Sequence, residues 1–132
     1  MERRFLPALV DHRGVPGAFA AKWEGWVSPR GRSVNIVGRV NVSHPSEVSK
    51  VENRVGCYSI LYRASVESLY TAYIGYSRYV RGEIESQIRD RGATTVDFPF
   101  TAVYIPSAAV AKEYEVDLIR YYAPPWNARF FK

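Results

Sequence analysis

Tyrosines are clustered in this sequence. Six of the ten lie between residues 58 and 79: Tyr58, Tyr62, Tyr70, Tyr73, Tyr76 and Tyr79. A phenol has a pKa near 10 and is a poor base at neutral pH, so it either orients a water molecule by hydrogen bonding or reacts as phenolate beside a cation. Rings of this kind also pack in cores and stack on nucleobases.

Arginine dominates the basic residues. The 132 residues include 18 Lys and Arg against 13 Asp and Glu, which gives a formal charge of +5, and 14 of the 18 are Arg. The planar guanidinium matches phosphate oxygens and the guanine edge, so a polyanionic partner is indicated. A GC-rich genome would also raise the arginine content, and both explanations stay open.

The positive charge is concentrated upstream. Residues 1–55 carry nine basic and five acidic side chains, whereas residues 56–132 carry nine and eight. Arg30, Arg32 and Arg39 lie in the first segment and are the candidates for binding nucleic acid. Ordinary surface arginines are the alternative.

Cysteine and histidine exclude several kinds of chemistry. The single cysteine, Cys57, allows no intramolecular disulfide and no cysteine-built zinc site, and it fits a reducing compartment. His12 and His44 are far apart in sequence and make a poor metal site. No run of about 18 apolar residues is present, so we expect a cytoplasmic protein without a membrane partner.

The hydrophobic pattern predicts the elements that position these side chains. Strands are predicted over residues 22–27, 33–40, 56–62, 69–75 and 97–105, the third and fourth forming a hairpin. Helices are predicted over 77–90, with Gly92 as the stop, and over 107–122, capped by Ser107. The order indicates an α+β domain: a small three-stranded mixed or antiparallel sheet flanked by helices and preceded by a short β-rich segment.

Two tripeptides on the hairpin and two residues near the end of the chain form a pattern. Gly56-Cys57-Tyr58 begins one strand, Tyr73-Ile74-Gly75 lies on the next, a basic helix follows, and Glu115 precedes Asn127 by twelve residues. In this order they resemble the GIY-YIG nuclease family. The resemblance covers residues 56–127. It divides the chain into a basic extension, 1–55, expected to belong to the same compact unit, and a nuclease domain, 56–132.

The resemblance implies hydrolysis of a nucleic-acid phosphodiester with one divalent metal, Mg²⁺ or Mn²⁺. It assigns Glu115 as the metal ligand, Tyr58 as the group beside the attacking water and Tyr73 as a second hydrogen-bonding partner. Asn127 is implied to fix the local backbone. Tyr62, Tyr70 and Tyr79 have no place in the motifs, and we expect them to pack or to stack on nucleic acid.

The basic helix departs from the family pattern. The resemblance implies an arginine eight residues after Gly75 and a histidine four residues later, but these positions hold Glu83 and Gln87. Arg81 is the nearest replacement, and Arg78 is the second. A guanidinium at the scissile phosphate would neutralise developing charge.

We therefore expect a small metal-dependent DNA endonuclease of the restriction or phage type, with Tyr58, Tyr73, Arg81 and Glu115 as catalytic residues. A symmetric dimer or higher homo-oligomer is expected if one site per chain cuts both strands. The alternative is a nucleic-acid-binding or scaffold protein that keeps the fold and has lost part of the site.

Overall fold

The protein has an α+β fold built on one antiparallel sheet. The computed structural model describes residues 26–65, 68–92 and 98–127. The elements are β1 (Gly38–Ser43), a short 3-10 helix (Pro45–Lys50), β2 (Gly56–Ser65), β3 (Ser68–Ser77), α1 (Val80–Arg91), β4 (Phe100–Tyr104) and α2 (Ala108–Tyr122).

Within the described residues, the sheet has four strands rather than the predicted three. Their order is β1-β4-β2-β3, and every neighbouring pair is antiparallel, so the sheet is not mixed. The additional strand, β1, comes from the segment before residue 56 and pairs with β4. A strand is predicted at 33–40, but the pairing begins at Gly38. The predicted strand 22–27 lies largely outside the described residues.

The β2–β3 hairpin separates two buried clusters by simple alternation along the strands. Cys57 faces α2 and joins the cluster formed by that helix, whereas Tyr58 faces α1 and joins the cluster on the other side of the sheet. Cys57 is fully buried, and its Sγ donates to the carbonyl of Ala111 at 3.1 Å. The prediction that Cys57 packs and that its side chain points away from Tyr58 is confirmed.

Both predicted helices are present, with one shift of a boundary. α1 begins at Val80 rather than near Ser77, because the amide of Gly82 in its first turn is bound by Asn53 Oδ1 from a distant loop at 3.1 Å. It ends at Gly92, which has a φ of 65°, as predicted. Ser107 caps α2 by accepting from the amide of Val110. Within the described ranges, no helix has the length and apolarity needed to cross a membrane.

Candidate functional site

The two glycines of the hairpin motifs lie where side chains do not fit. A Cβ at Gly56 would be 2.1 Å from the carbonyl oxygen of Val103 in the neighbouring β4, and a Cβ at Gly75 would be 2.5 Å from Oη of Tyr58. Tyr58 and Gly75 are direct cross-strand partners, so the phenol of Tyr58 lies over Gly75. Gly75 therefore makes room for the Tyr58 side chain.

Tyr73 lies beside Tyr58 on the same face of the sheet. Their ring centroids are 6.1 Å apart, with an angle of 41° between the planes. Tyr58 is 1% exposed and Tyr73 is half-buried, so the pair leads from the core towards solvent. A hydrogen bond between the two side chains contributes to raising the pKa of Tyr58. The structure brings together the two tyrosines of the sequence motifs.

Two carboxylates from different helices act on the same phenol. Burial has the largest effect and raises the pKa of Tyr58 far above its usual value near 10, and Tyr73, Glu83 and Glu115 raise it further. Within the part of the chain that the structure describes, the charged groups acting on Tyr58 are thus both acidic. In these surroundings the neutral phenol of Tyr58 is favoured over the phenolate, and its hydroxyl hydrogen-bonds to Tyr73.

Glu115 of α2 also acts across the sheet. The pKa of the Cys57 thiol is raised mainly by burial and additionally by Glu115. Cys57 and Tyr58 point to opposite faces of the sheet, so Glu115 raises the pKa of one side chain on each face. Its position in α2, half-buried, differs from that of Glu113, which lies about 200° away around the helix.

α1 carries Arg81 and also Glu83, which raises the pKa of Tyr58. Val80, Ile84 and Ile88 form the buried stripe of α1. Glu83 lies on one flank of this stripe, and Arg81 lies about 200° from Glu83 on the other flank. Arg81 is half-buried, and its part at the tyrosine pair stays a prediction. Arg78 precedes α1 and is exposed.

Arg91 lies near Tyr73, and the sequence analysis did not predict it as a site residue. Its guanidinium carbon lies 4.7 Å from the ring centroid of Tyr73 and 4.9 Å from that of Trp126. Its Nε donates to Oε1 of Gln87 at 2.6 Å. Glu83, Gln87 and Arg91 occupy helical positions i, i+4 and i+8. This spacing in the sequence indicates that the three side chains lie along the same side of α1.

Asn127 fixes the backbone of β3 from the end of the chain. Its Oδ1 accepts from the amide of Ile74 at 2.9 Å, and its Nδ2 donates to the carbonyl of the same residue at 3.0 Å. Asn127 is 2% exposed. Ile74 lies between Tyr73 and Gly75, so the hydrogen bonds hold the strand at the point where it carries the tyrosine pair.

The proposed nucleic-acid-binding arginines lie away from this site. Arg30 and Arg32 are 3.9 and 3.8 Å from Oε2 of Glu113, on the side of α2 remote from Glu115. Trp26, in the same segment, donates to Asp117 of α2 and packs in the Cys57 cluster. Tyr114 belongs to that cluster as well; burial raises the pKa of Tyr114, and Arg39 on β1 offsets part of the rise.

Glu83 and Glu115 are two carboxylates near one phenol and not part of a larger metal cluster. In residues 26–65, 68–92 and 98–127, no group of three or more histidine, cysteine or acidic side chains is positioned to hold a metal ion. Hard carboxylate oxygens nevertheless suit Mg²⁺, which needs only one or two carboxylates when substrate phosphate and water supply the other ligands. No family model, curated protein or solved structure matches the chain.

Proposed function

We propose that the protein is a metal-dependent endonuclease that hydrolyses phosphodiester bonds in DNA. The observation that supports the proposal is the contact between Tyr58 and Tyr73 on adjacent strands, together with the effect of Glu83 and Glu115, from two different helices, on the pKa of the buried Tyr58 phenol. Two acidic groups and a substrate phosphate need a compensating cation when they come together, and Mg²⁺ or Mn²⁺ is the natural one. The resemblance to GIY-YIG nucleases supports the same chemistry.

Glu115 and Glu83 would hold the divalent ion. When bound, the ion supplies positive charge at the phosphate and lowers the pKa of a coordinated water molecule. The Tyr58 hydroxyl orients the attacking water as a neutral hydrogen-bonding group, and Tyr73 holds the Tyr58 hydroxyl in place. Two such chains, each with one site, would act together where both strands of a duplex are cut.

The proposal predicts that Glu115→Gln lowers the cleavage rate of supercoiled DNA in Mg²⁺ or Mn²⁺ by at least about a hundredfold, since it removes a charge that acts at the reacting phosphate. Glu113→Gln is the matched control, because it changes the same residue type on the remote side of α2, and it should stay within a few fold of the wild-type rate. Plasmid nicking and linearisation are followed on agarose gels.

Folded wild-type protein that leaves supercoiled, linear and branched DNA intact in both metals would contradict the proposal. Equal loss of activity in the Glu113 and Glu115 variants would also contradict the assignment of Glu115.

A second candidate is a nucleic-acid-binding protein without catalytic activity. It is favoured by Glu83 and Gln87, which hold the helix positions where the resemblance implies arginine and histidine. Such a protein would bind DNA with a steep salt dependence and leave it uncut. Cleavage that appears only in the double variant Glu83→Arg with Gln87→His would favour this candidate over the first.

A further inference from the structure

Four aromatic side chains and one arginine form a continuous row on the α1 side of the sheet. We call it the aromatic row, and its members are Tyr62, Phe98, Trp126, Arg91 and Tyr73. The ring centroids of Tyr62 and Phe98 are 5.7 Å apart, and those of Phe98 and Trp126 are 5.6 Å apart. The planes are tilted by 44° and 31°, within the range of stacked and offset ring contacts.

Arg91 joins Trp126 to Tyr73 within the aromatic row. Its guanidinium lies over the rings of both Tyr73 and Trp126, and its bond to Gln87 orients the planar group. That bond uses one of the five N–H donors of the guanidinium. A cation held between rings in this way is suited to stack on a further flat group and to donate to phosphate oxygens.

The aromatic row leads from solvent to the candidate active site. Tyr62 is 45% exposed, Arg91 is exposed, and Phe98, Trp126 and Tyr73 are half-buried. Tyr73 then contacts the buried Tyr58. Packing of the core does not require the outer members, because an exposed ring and a charged group contribute little apolar burial. The positive charge and the flat faces are complementary to a nucleotide, which joins a flat base to a phosphate.

We infer that the aromatic row binds unpaired nucleotides beside the phosphate that reaches Tyr58 and Glu115. The inference rests on the proposed function and adds the substrate class. Bases within a duplex have their faces covered by neighbouring bases, whereas unpaired bases offer them to tyrosine, tryptophan and arginine. The substrate is thus single-stranded nucleic acid, or a duplex with a flap, a loop or an extruded base.

The test measures binding without catalysis. Fluorescein-labelled oligothymidylate, oligouridylate, a duplex of equal length and an abasic strand with the same number of phosphates are titrated with wild-type protein in EDTA, and anisotropy gives each Kd. Oligothymidylate or oligouridylate should bind at least about tenfold more tightly than the abasic strand, since each stacked base contributes measurably. The ratio between the first two strands identifies DNA or RNA as the preferred source of the unpaired base.

Matched variants separate stacking from charge and from folding. Tyr62→Leu should weaken binding of the preferred strand by about five- to tenfold, whereas Tyr62→Phe keeps the ring and should keep the affinity. Arg91→Lys keeps the charge and loses the flat group, so it should weaken binding by a similar factor. Arg89→Lys is its control, because Arg89 contacts Ser86 and Asp90 on the same helix. Urea denaturation verifies the folding of each variant.

Equal affinity for abasic and base-bearing strands, or tighter binding of the duplex, would overturn the inference and reduce the aromatic row to internal packing. This failure is distinguishable from failure of the proposed function. If cleavage depends on Glu115 but binding does not depend on bases, the nuclease proposal stands and only base binding by the aromatic row is rejected. Base-dependent binding that Tyr62→Leu weakens, in a protein that cleaves nothing, supports the aromatic row and removes the nuclease.

Discussion

At the scale of single residues, Gly75 and Tyr58 depend on each other. The phenol lies in the space that any other side chain at position 75 would fill, and three of its atoms would be within 2.7 Å of a Cβ there. Because Tyr58 is buried on its other sides, it has no second place to go. Position 75 therefore requires glycine because the Tyr58 side chain occupies the space that a Cβ would need.

We predict that Gly75→Ala destabilises the protein by about 1–3 kcal/mol, the usual cost of overpacking a core, and that it abolishes any cleavage by displacing Tyr58. Urea denaturation measures the free energy of unfolding. Gly82→Ala is the control: it lies in α1, where the nearest atom to its Cβ would be 3.8 Å away, and it should stabilise the protein by about 0.5–1 kcal/mol.

A double-mutant cycle identifies the cause. If Gly75→Ala acts through the phenol, its cost becomes clearly smaller in a Tyr58→Ala background. An unchanged cost in that background would mean that the strand itself, and not Tyr58, rejects the side chain.

Part of this site could be predicted from the sequence, because the motifs specify which residue types stand at which positions. Tyr58, Tyr73, Arg81 and Glu115 were predicted to form one site; the rings of Tyr58 and Tyr73 lie 6.1 Å apart, Glu115 raises the pKa of Tyr58, and the site as a whole stays a prediction. Arg81 was favoured as the arginine nearest to the helix position that the resemblance implies, and its part in the site stays a prediction. Glu83 was noted only as a departure from a pattern, and Arg91 was not considered, because its ring contacts come from residues far along the chain.

At the scale of elements, Asn127, which follows α2, supplies hydrogen-bond partners to the backbone of β3. The Asn127 side chain presents one acceptor and one donor to Ile74, as a neighbouring strand would. Without it, a buried amide and a buried carbonyl would lose their partners, and each unsatisfied group costs about 1–3 kcal/mol.

We therefore expect Asn127→Ala to lower the free energy of unfolding by about 2–4 kcal/mol, as measured by urea denaturation. Asn41→Ala removes the same side chain from an exposed position of β1 and should change stability by less than about 0.5 kcal/mol. A similar small effect for both variants would show that water replaces the Asn127 amide at Ile74.

Local signals predicted most elements, and long-range pairing accounts for the rest. Gly92 ends α1 and Ser107 begins α2 through contacts within a few residues, so both were predictable. β1 pairs with a strand some 60 residues later, as in the Gly38–Tyr104 pair, and nothing within its own sequence specifies that partner. The start of α1 depends in the same way on Asn53, which lies 29 residues upstream of Gly82.

At the scale of the whole molecule, two buried phenols link stability to alkaline pH. Burial is the largest cause of the raised pKa of both Tyr58 and Tyr114. In the unfolded chain each phenol titrates near pH 10, so above that pH the folded state binds more protons than the unfolded state. Their contribution to stability is complete below about pH 10 and is lost as the pH rises further.

The free energy of unfolding should therefore fall above about pH 10 by about 1.4 kcal/mol per pH unit for each of the two phenols. Urea denaturation at a series of pH values measures the slope. Tyr58→Phe removes one titrating group and should reduce the slope by that amount, whatever its effect on stability at neutral pH. An unchanged slope would mean that Tyr58 ionises in the folded protein.

The distribution of charge also looks different on the folded molecule. The segment before residue 56 carries most of the excess positive charge, but Arg30 and Arg32 lie beside Glu113, on the opposite side of α2 from Glu115. A strand of nucleic acid at Tyr58 would meet Arg91 before it met either of them. Binding of a phosphate backbone by Arg30 and Arg32 stays a prediction.

The Asn127 amide has a consequence for assembly. Among the residues that the structure describes, the strand order is β1-β4-β2-β3, so β3 is an outer strand of this sheet, and an outer strand can pair with another chain. At Ile74 the chain's own side chain already occupies both the backbone amide and the carbonyl. A second copy could not extend the sheet through this point without expelling Asn127, so the residue that supports the tyrosine pair also protects the strand against edge-to-edge aggregation.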